Sequence, residues 1–143
     1  MAAPPTRPPT ASELLAHPNV VQALVEAWAD SQVNDPTNRH EEGGWIYQDL
    51  STGVVVTRRA PTGTQSRLSL ANPSLLPNHV IVGTFHTHPN SASEGWVTGA
   101  STQDKQAARY SGVPWLIRAE DGDHSTGPAS RRGGLGGGPG YPP

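Results

Sequence analysis

Residues 79–86 constrain the fold more than any other part of this chain. Val80, Ile81, Val82 and Phe85 form an apolar run that suits a strand at the centre of a sheet, buried on both faces. Such a strand needs neighbours on both sides and a covering layer, and the flanking segments read as both. Val20, Val21, Leu24, Val25 and Trp28 recur at offsets of three and four after Pro18-Asn19, where Asn can cap a start. That spacing predicts one amphipathic helix ending near Val33. Residues 44–50 and 54–58 are β-rich and flank Ser51-Thr52-Gly53, the pattern of a hairpin, and residues 66–70 add a candidate short strand. Residues 101–110 read as a helix closed by Ser111-Gly112, and residues 115–119 as a final strand stopped by Glu120-Asp121-Gly122. Asp121-Gly122-Asp123-His124 reads as a turn. The order predicts an α/β fold, a mixed sheet flanked by helices.

A chain of 143 residues suits one domain, yet it holds 16 Gly and 15 Pro with only 34% hydrophobic residues, so part of it is expected outside the core. The excess lies at the ends. The first ten residues contain four prolines, and residues 131–143 read RRGGLGGGPGYPP. Disordered segments are expected over 1–11 and 129–143, leaving 12–128 as the folded domain.

Absence of cysteine excludes a thiol nucleophile, Cys-ligated zinc, iron–sulfur clusters and disulfides. A net charge of -2 offers no broad basic field for nucleic acid or anionic lipid. No apolar run approaches the roughly 20 residues that span a bilayer, and the Pro-rich start lacks the apolar core of a signal peptide. The expectation is a cytoplasmic protein with neither nucleic-acid nor membrane partners, its chemistry carried by oxygen and imidazole.

His86-Thr87-His88-Pro89 is where that chemistry concentrates, because residues two apart on a strand share a face and two imidazoles there can share one ion. Asp104, in the first turn of the following helix, can return a carboxylate to the strand end. Two imidazoles and one carboxylate are a composition that catalytic zinc uses, with the fourth position open. Ser101 has two readings, a helix N-cap or a hydroxyl that donates to a developing oxyanion. A general base is also needed, and Glu41 and Glu42 stand just before the first strand.

Taken together, Glu41-x-x-Gly44, His86-x-His88-Pro89 and Ser101-x-x-Asp104 resemble the signature of the JAMM/MPN metallopeptidase family, also called the JAB domain, over roughly residues 39–120. The resemblance implies a JAMM/MPN-like mixed sheet flanked by helices, similar to the cytidine-deaminase layer. It implies a zinc-dependent peptidase or isopeptidase, related to deubiquitinases and to bacterial members, that acts after the C-terminal glycine of a ubiquitin-like protein or on another peptide substrate. It further implies zinc ligation by His86, His88 and Asp104, general acid/base work by Glu41 and transition-state donation by Ser101. Glu41 keeps the Glu-x-x-Gly offset, and Glu42 would replace it if the register slipped by one.

Two features depart from the family pattern or stand outside it. Twelve residues separate His88 from Ser101, so residues 90–100 form an insertion in which Trp96 could hold an extended substrate chain. Arg131-Arg132-Gly133-Gly134-Leu135 resembles the Arg-Gly-Gly ending of ubiquitin-like proteins, and reads either as a linker or as a segment entering the active-site groove. The rival to an enzyme is a non-catalytic binding or scaffold module of the same fold. His17, His40, His79 and His124 have no partner at ligand spacing and read as local polar groups.

Overall fold

The computed structural model describes residues 3–136 and residue 141. Among them the chain forms α1 (Ala11–Ala16), α2 (Pro18–Asp30), β1 (Gly43–Asp49), β2 (Val55–Arg59), β3 (His79–Thr87), a 3-10 turn at Ala92–Glu94, α3 (Thr102–Ser111), β4 (Trp115–Ala119) and β5 (Gly122–Thr126). The strands make one mixed sheet in the order β2-β1-β3-β4-β5, with β3 at its centre as the apolar run requires. Every neighbouring pair is antiparallel except β3 and β4, which run parallel. A parallel pair needs a crossover, and α3 supplies it.

α1 and α2 cover one face, where Leu14, Val20, Leu24, Ile46, Val80, Val82, Phe85 and Leu116 form an apolar cluster. The opposite face packs Trp45, Tyr47, Ile81, Val113 and Trp115 beneath α3 and the irregular segment between β2 and β3. Strict alternation along β3 would assign residues 80, 82, 84, 86 and 88 to one face. A bulge breaks it. Ile46 pairs with Gly83 and Tyr47 with Ile81, which leaves Val82 without a partner in β1. Consecutive Val82 and Gly83 therefore both face the helices, a Cβ on Gly83 meeting Leu14 and Ile46, so Phe85 joins the helix side while Thr84 and His86 turn to the other.

Several boundaries differ from the sequence reading. The sequence reading has no helix before Pro18, yet α1 forms and is held by a full capping box in which Thr10 accepts from the Glu13 N–H and Glu13 accepts from the Thr10 N–H. α2 begins two residues earlier than an Asn19 cap would allow, with His17 as N-cap and Pro18 in its first turn. Its end at Asp30 falls short of Val33, and Gln32 follows at φ 53°. Residues 66–70 form no strand; Leu70 is buried instead, and its carbonyl accepts the Trp45 indole N–H at 3.2 Å. Asp121-Gly122-Asp123-His124 is not simply a turn, since β5 starts at Gly122 and pairs along β4.

Contacts also reach residues near both chain ends. Thr10 bridges to Ser130, and the Ala11 N–H donates to the Ala129 carbonyl at 2.7 Å. Arg131 is buried, its guanidinium donating to Ile81 O at 2.8 Å and Gly136 O at 3.0 Å, and Tyr141 packs against the second cluster with its hydroxyl on Leu70 O at 2.5 Å. Residues 1–2, 137–140 and 142–143 lie outside the described residues.

Candidate metal centre

His86 lies near the end of β3 and His88 just past it. Gly43 of β1 runs directly opposite His86, where a Cβ would stand 2.1 Å from the Phe85 carbonyl oxygen and 2.8 Å from the His86 Cβ. Only glycine lets the two strands close over the imidazole. Trp115 of β4 holds the ring from the side, edge-on at 5.8 Å between centroids.

The Nε2 atoms of His86 and His88 are 3.2 Å apart. Asp104 closes the triangle, with Oδ1 3.2 Å from His86 Nε2 and Oδ2 3.1 Å from His88 Nε2. Donors about 2.0–2.1 Å from a tetrahedral ion lie about 3.3 Å from one another. The three side chains are therefore at the spacing that one four-coordinate ion imposes. The tautomer of His88 also fits, because its Nδ1 faces the Thr98 carbonyl at 3.2 Å and can only donate there, leaving the Nε2 lone pair for a metal. His86 lacks such support: its Nδ1 is buried without a partner among the described residues.

Glu41 completes the cluster. One oxygen of its carboxylate and a nitrogen from each of His86 and His88 lie within 4.8 Å of one another. Burial pushes the Glu41 carboxyl up to about 8, with the His88 charge opposing and the Asp104 charge adding. Burial also opposes ionisation of Asp104, but hydrogen bonds from His86 and His88 outweigh it and hold that carboxyl far below the usual carboxylate range. The same pair acts on His88 from the other side. Burial disfavours its charged ring, yet the hydrogen bond and the charge of Asp104 leave its pKa raised.

Glu42, the alternative base, points elsewhere. Its oxygens accept from Arg59 at 2.5 Å and Thr62 at 2.9 Å and lie 2.7 Å from His40 Nε2, so its carboxylate is committed to a structural network. Ser101 is the N-cap of α3, the first of its two readings. Its Oγ accepts the Asp104 N–H at 3.0 Å as the α3 N-cap, and Asp104 Oδ2 accepts the Ser101 N–H at 3.0 Å. The cap uses a lone pair of the hydroxyl and leaves its proton free to donate. The twelve-residue spacing does not displace α3 from the histidines.

All five expected residues line one cleft of about 800 Å³, together with Trp96 and Val97 from the insertion. The RGG segment is not part of its lining: Arg132 donates its N–H to Gly112 O at the end of α3. Three contributors escaped the sequence reading. Thr98 acts through its backbone carbonyl, which no side-chain pattern reports. Trp115 read only as a strand residue, and Arg39, which pairs with Glu94 at 2.9 Å, was not singled out. His17, His40, His79 and His124 each make local polar contacts, as expected. No helix among the described residues is long and apolar enough to cross a membrane. Comparison with family models, with curated proteins and with solved structures found no match for this chain.

Proposed function

We propose that this chain is a zinc-dependent hydrolase of peptide or isopeptide bonds, with a JAMM/MPN-like fold. The observation that carries this reading is the triangle of His86, His88 and Asp104 at 3.1–3.2 Å. His86 Nε2, His88 Nε2 and the Asp104 carboxylate would hold the ion. The chemistry a zinc ion supplies in such a site is Lewis acidity toward water and toward a carbonyl oxygen.

The remaining work falls to the chain itself. Glu41, buried and free of hydrogen bonds that would pin its ionised form, accepts a proton from water and delivers it to the leaving nitrogen. Its charged form would be favoured by a zinc ion held by His86, His88 and Asp104, which would make the carboxylate available as a base near neutral pH. Ser101 donates its free Oγ–H to the carbonyl oxygen as negative charge grows there. An amide that follows the C-terminal glycine of a ubiquitin-like protein is the substrate for which the sequence resemblance argues. A binding or scaffold module of the same fold has no need of the metal.

Elemental analysis of the purified full-length protein, combined with cleavage of a fluorogenic amine joined to the C-terminal glycine of a ubiquitin-like protein, tests the reading. About one zinc per chain is expected, and Glu41→Gln should keep it while losing on the order of 10²–10⁴ in turnover. A metal-free protein, or full activity in Glu41→Gln, would overturn the assignment.

A further inference from the structure

Residues 90–100 carry two of the large apolar side chains that the chain leaves exposed. Trp96 is 40% exposed and Val97 64%, and both line the cleft that contains Glu41, His86 and His88. A tryptophan on a loose loop folds back onto apolar surface. Here the backbone around it is pinned from several directions. Glu94 accepts both terminal nitrogens of the buried Arg39 at 2.9 Å, and Glu120 accepts the Ala92 N–H at 2.7 Å. The Thr98 hydroxyl donates to Asp121 at 2.9 Å, while the Thr98 carbonyl is the group that meets His88.

A rigidly presented, half-exposed aromatic loses little entropy when it is covered, which is the condition under which Trp side chains dominate recognition. Half-buried Leu68 adds apolar surface to the same cleft; the rest of the lining away from Glu41, the two histidines and Asp104 includes the polar Ser66, Ser69, Asn90 and Gln103, with Arg67 as its one charged residue. A group that covers Trp96 and Val97 themselves is best apolar, and its position is in the same cleft as Glu41, His86 and His88.

We infer that Trp96 and Val97 form an apolar subsite that selects substrates with a bulky aliphatic side chain next to the scissile bond. The identity of the occupant as a substrate rests on the hydrolase reading; the subsite itself does not. Two fluorescein-labelled octapeptides of Gly and Ser, one with Leu-Gly-Leu at its centre and one with Ser-Gly-Ser, provide the probe. Their binding is read by anisotropy with the full-length Glu41→Gln protein, so that cleavage does not intervene. The Leu peptide is expected to bind about tenfold tighter. Trp96→Ala should reduce that preference below about twofold, and Trp96→Phe should retain most of it, with the metal content of both unchanged. Equal binding of the two peptides by the parent protein, or an intact preference in Trp96→Ala, overturns the subsite. A Leu preference in a protein that holds no zinc and cuts no amide leaves the subsite standing and removes the hydrolase.

Discussion

The two faces of the sheet divide the labour of this molecule. The helix face is aliphatic apart from Phe85, and Leu14, Val20, Leu24, Ile46, Val80, Val82 and Leu116 are at most marginally exposed. Polar groups enter this side only at its edge, where the Ser31 and Thr87 hydroxyls are 2.7 Å apart. The cleft face is built from amphipathic rings, each with its polar atom answered: Trp45 on Leu70 O, Tyr47 on Ser74 O, Trp115 on Ser111 Oγ and Tyr141 on Leu70 O. Rings with polar tips can border a wet cleft, whereas an aliphatic layer can only be sealed. Stability is concentrated on one side, and the groups that can do chemistry on the other.

Adjacent residues of β3 put this division to the sharpest test, because Phe85 and His86 face opposite ways. His86→Ala should abolish zinc retention and, by removing one partner of buried Asp104, lower the metal-free protein's stability by less than Phe85→Ala does. Phe85→Ala should do the opposite, lowering unfolding free energy by about 3–5 kcal/mol while the folded fraction still binds one zinc. If both variants lost metal and stability together, the faces would not be independent.

The response to pH should be smaller and confined to the cleft face. Glu41 and His88 have raised pKa values, so the stability they contribute is present below their unfolded values of 4.5 and 6.5 and is lost as pH rises through their folded ones, about 8 for Glu41. Asp104 is depressed below 3.8, so its contribution is present above that value and lost in acid. The metal-free protein should therefore be most stable in mild acid and should weaken toward pH 8, and zinc should reverse the slope because its ligands must be deprotonated. Thermal midpoints from pH 4 to 9 with and without zinc decide it; parallel curves would show that the cluster does not bind the ion.

Glu42→Gln should give the smallest effect. It loosens the contacts to Arg59 and Thr62, costing about 1–3 kcal/mol, and leaves turnover within about twofold. A collapse of turnover would transfer the base from Glu41 to Glu42.

How much of this was legible beforehand follows from the physics of each element. β3 announced itself because a doubly buried strand is apolar throughout. β5 did not, since it is an edge strand whose residues stay largely exposed, and Asp, His, Ser and Thr there look like a turn. α1 hid because only Leu14 in it is fully buried, although Thr10-x-x-Glu13 is a capping-box pattern. His86, His88, Asp104 and Ser101 could be read from spacing because strand and helix periods are fixed. Glu41 was preferred to Glu42 on its offset from Gly44, and what the sequence did not show is where Glu42 goes, into contacts with Arg59 and Thr62; the hold of Arg131 and Tyr141 on the core needed contacts between segments distant in sequence.

The unpaired residue at Val82 sets a rule for moving this site into another protein. A designer who copied the His-Thr-His segment onto a regular strand, keeping the apolar pattern before it, would deliver both imidazoles into the hydrophobic layer. The portable unit is longer than the two histidines: it begins at Val80, includes the extra residue and the glycine after it, and ends at His88. Anyone counting from the front of the strand obtains the wrong side of the sheet; counting back from the histidines obtains the right one.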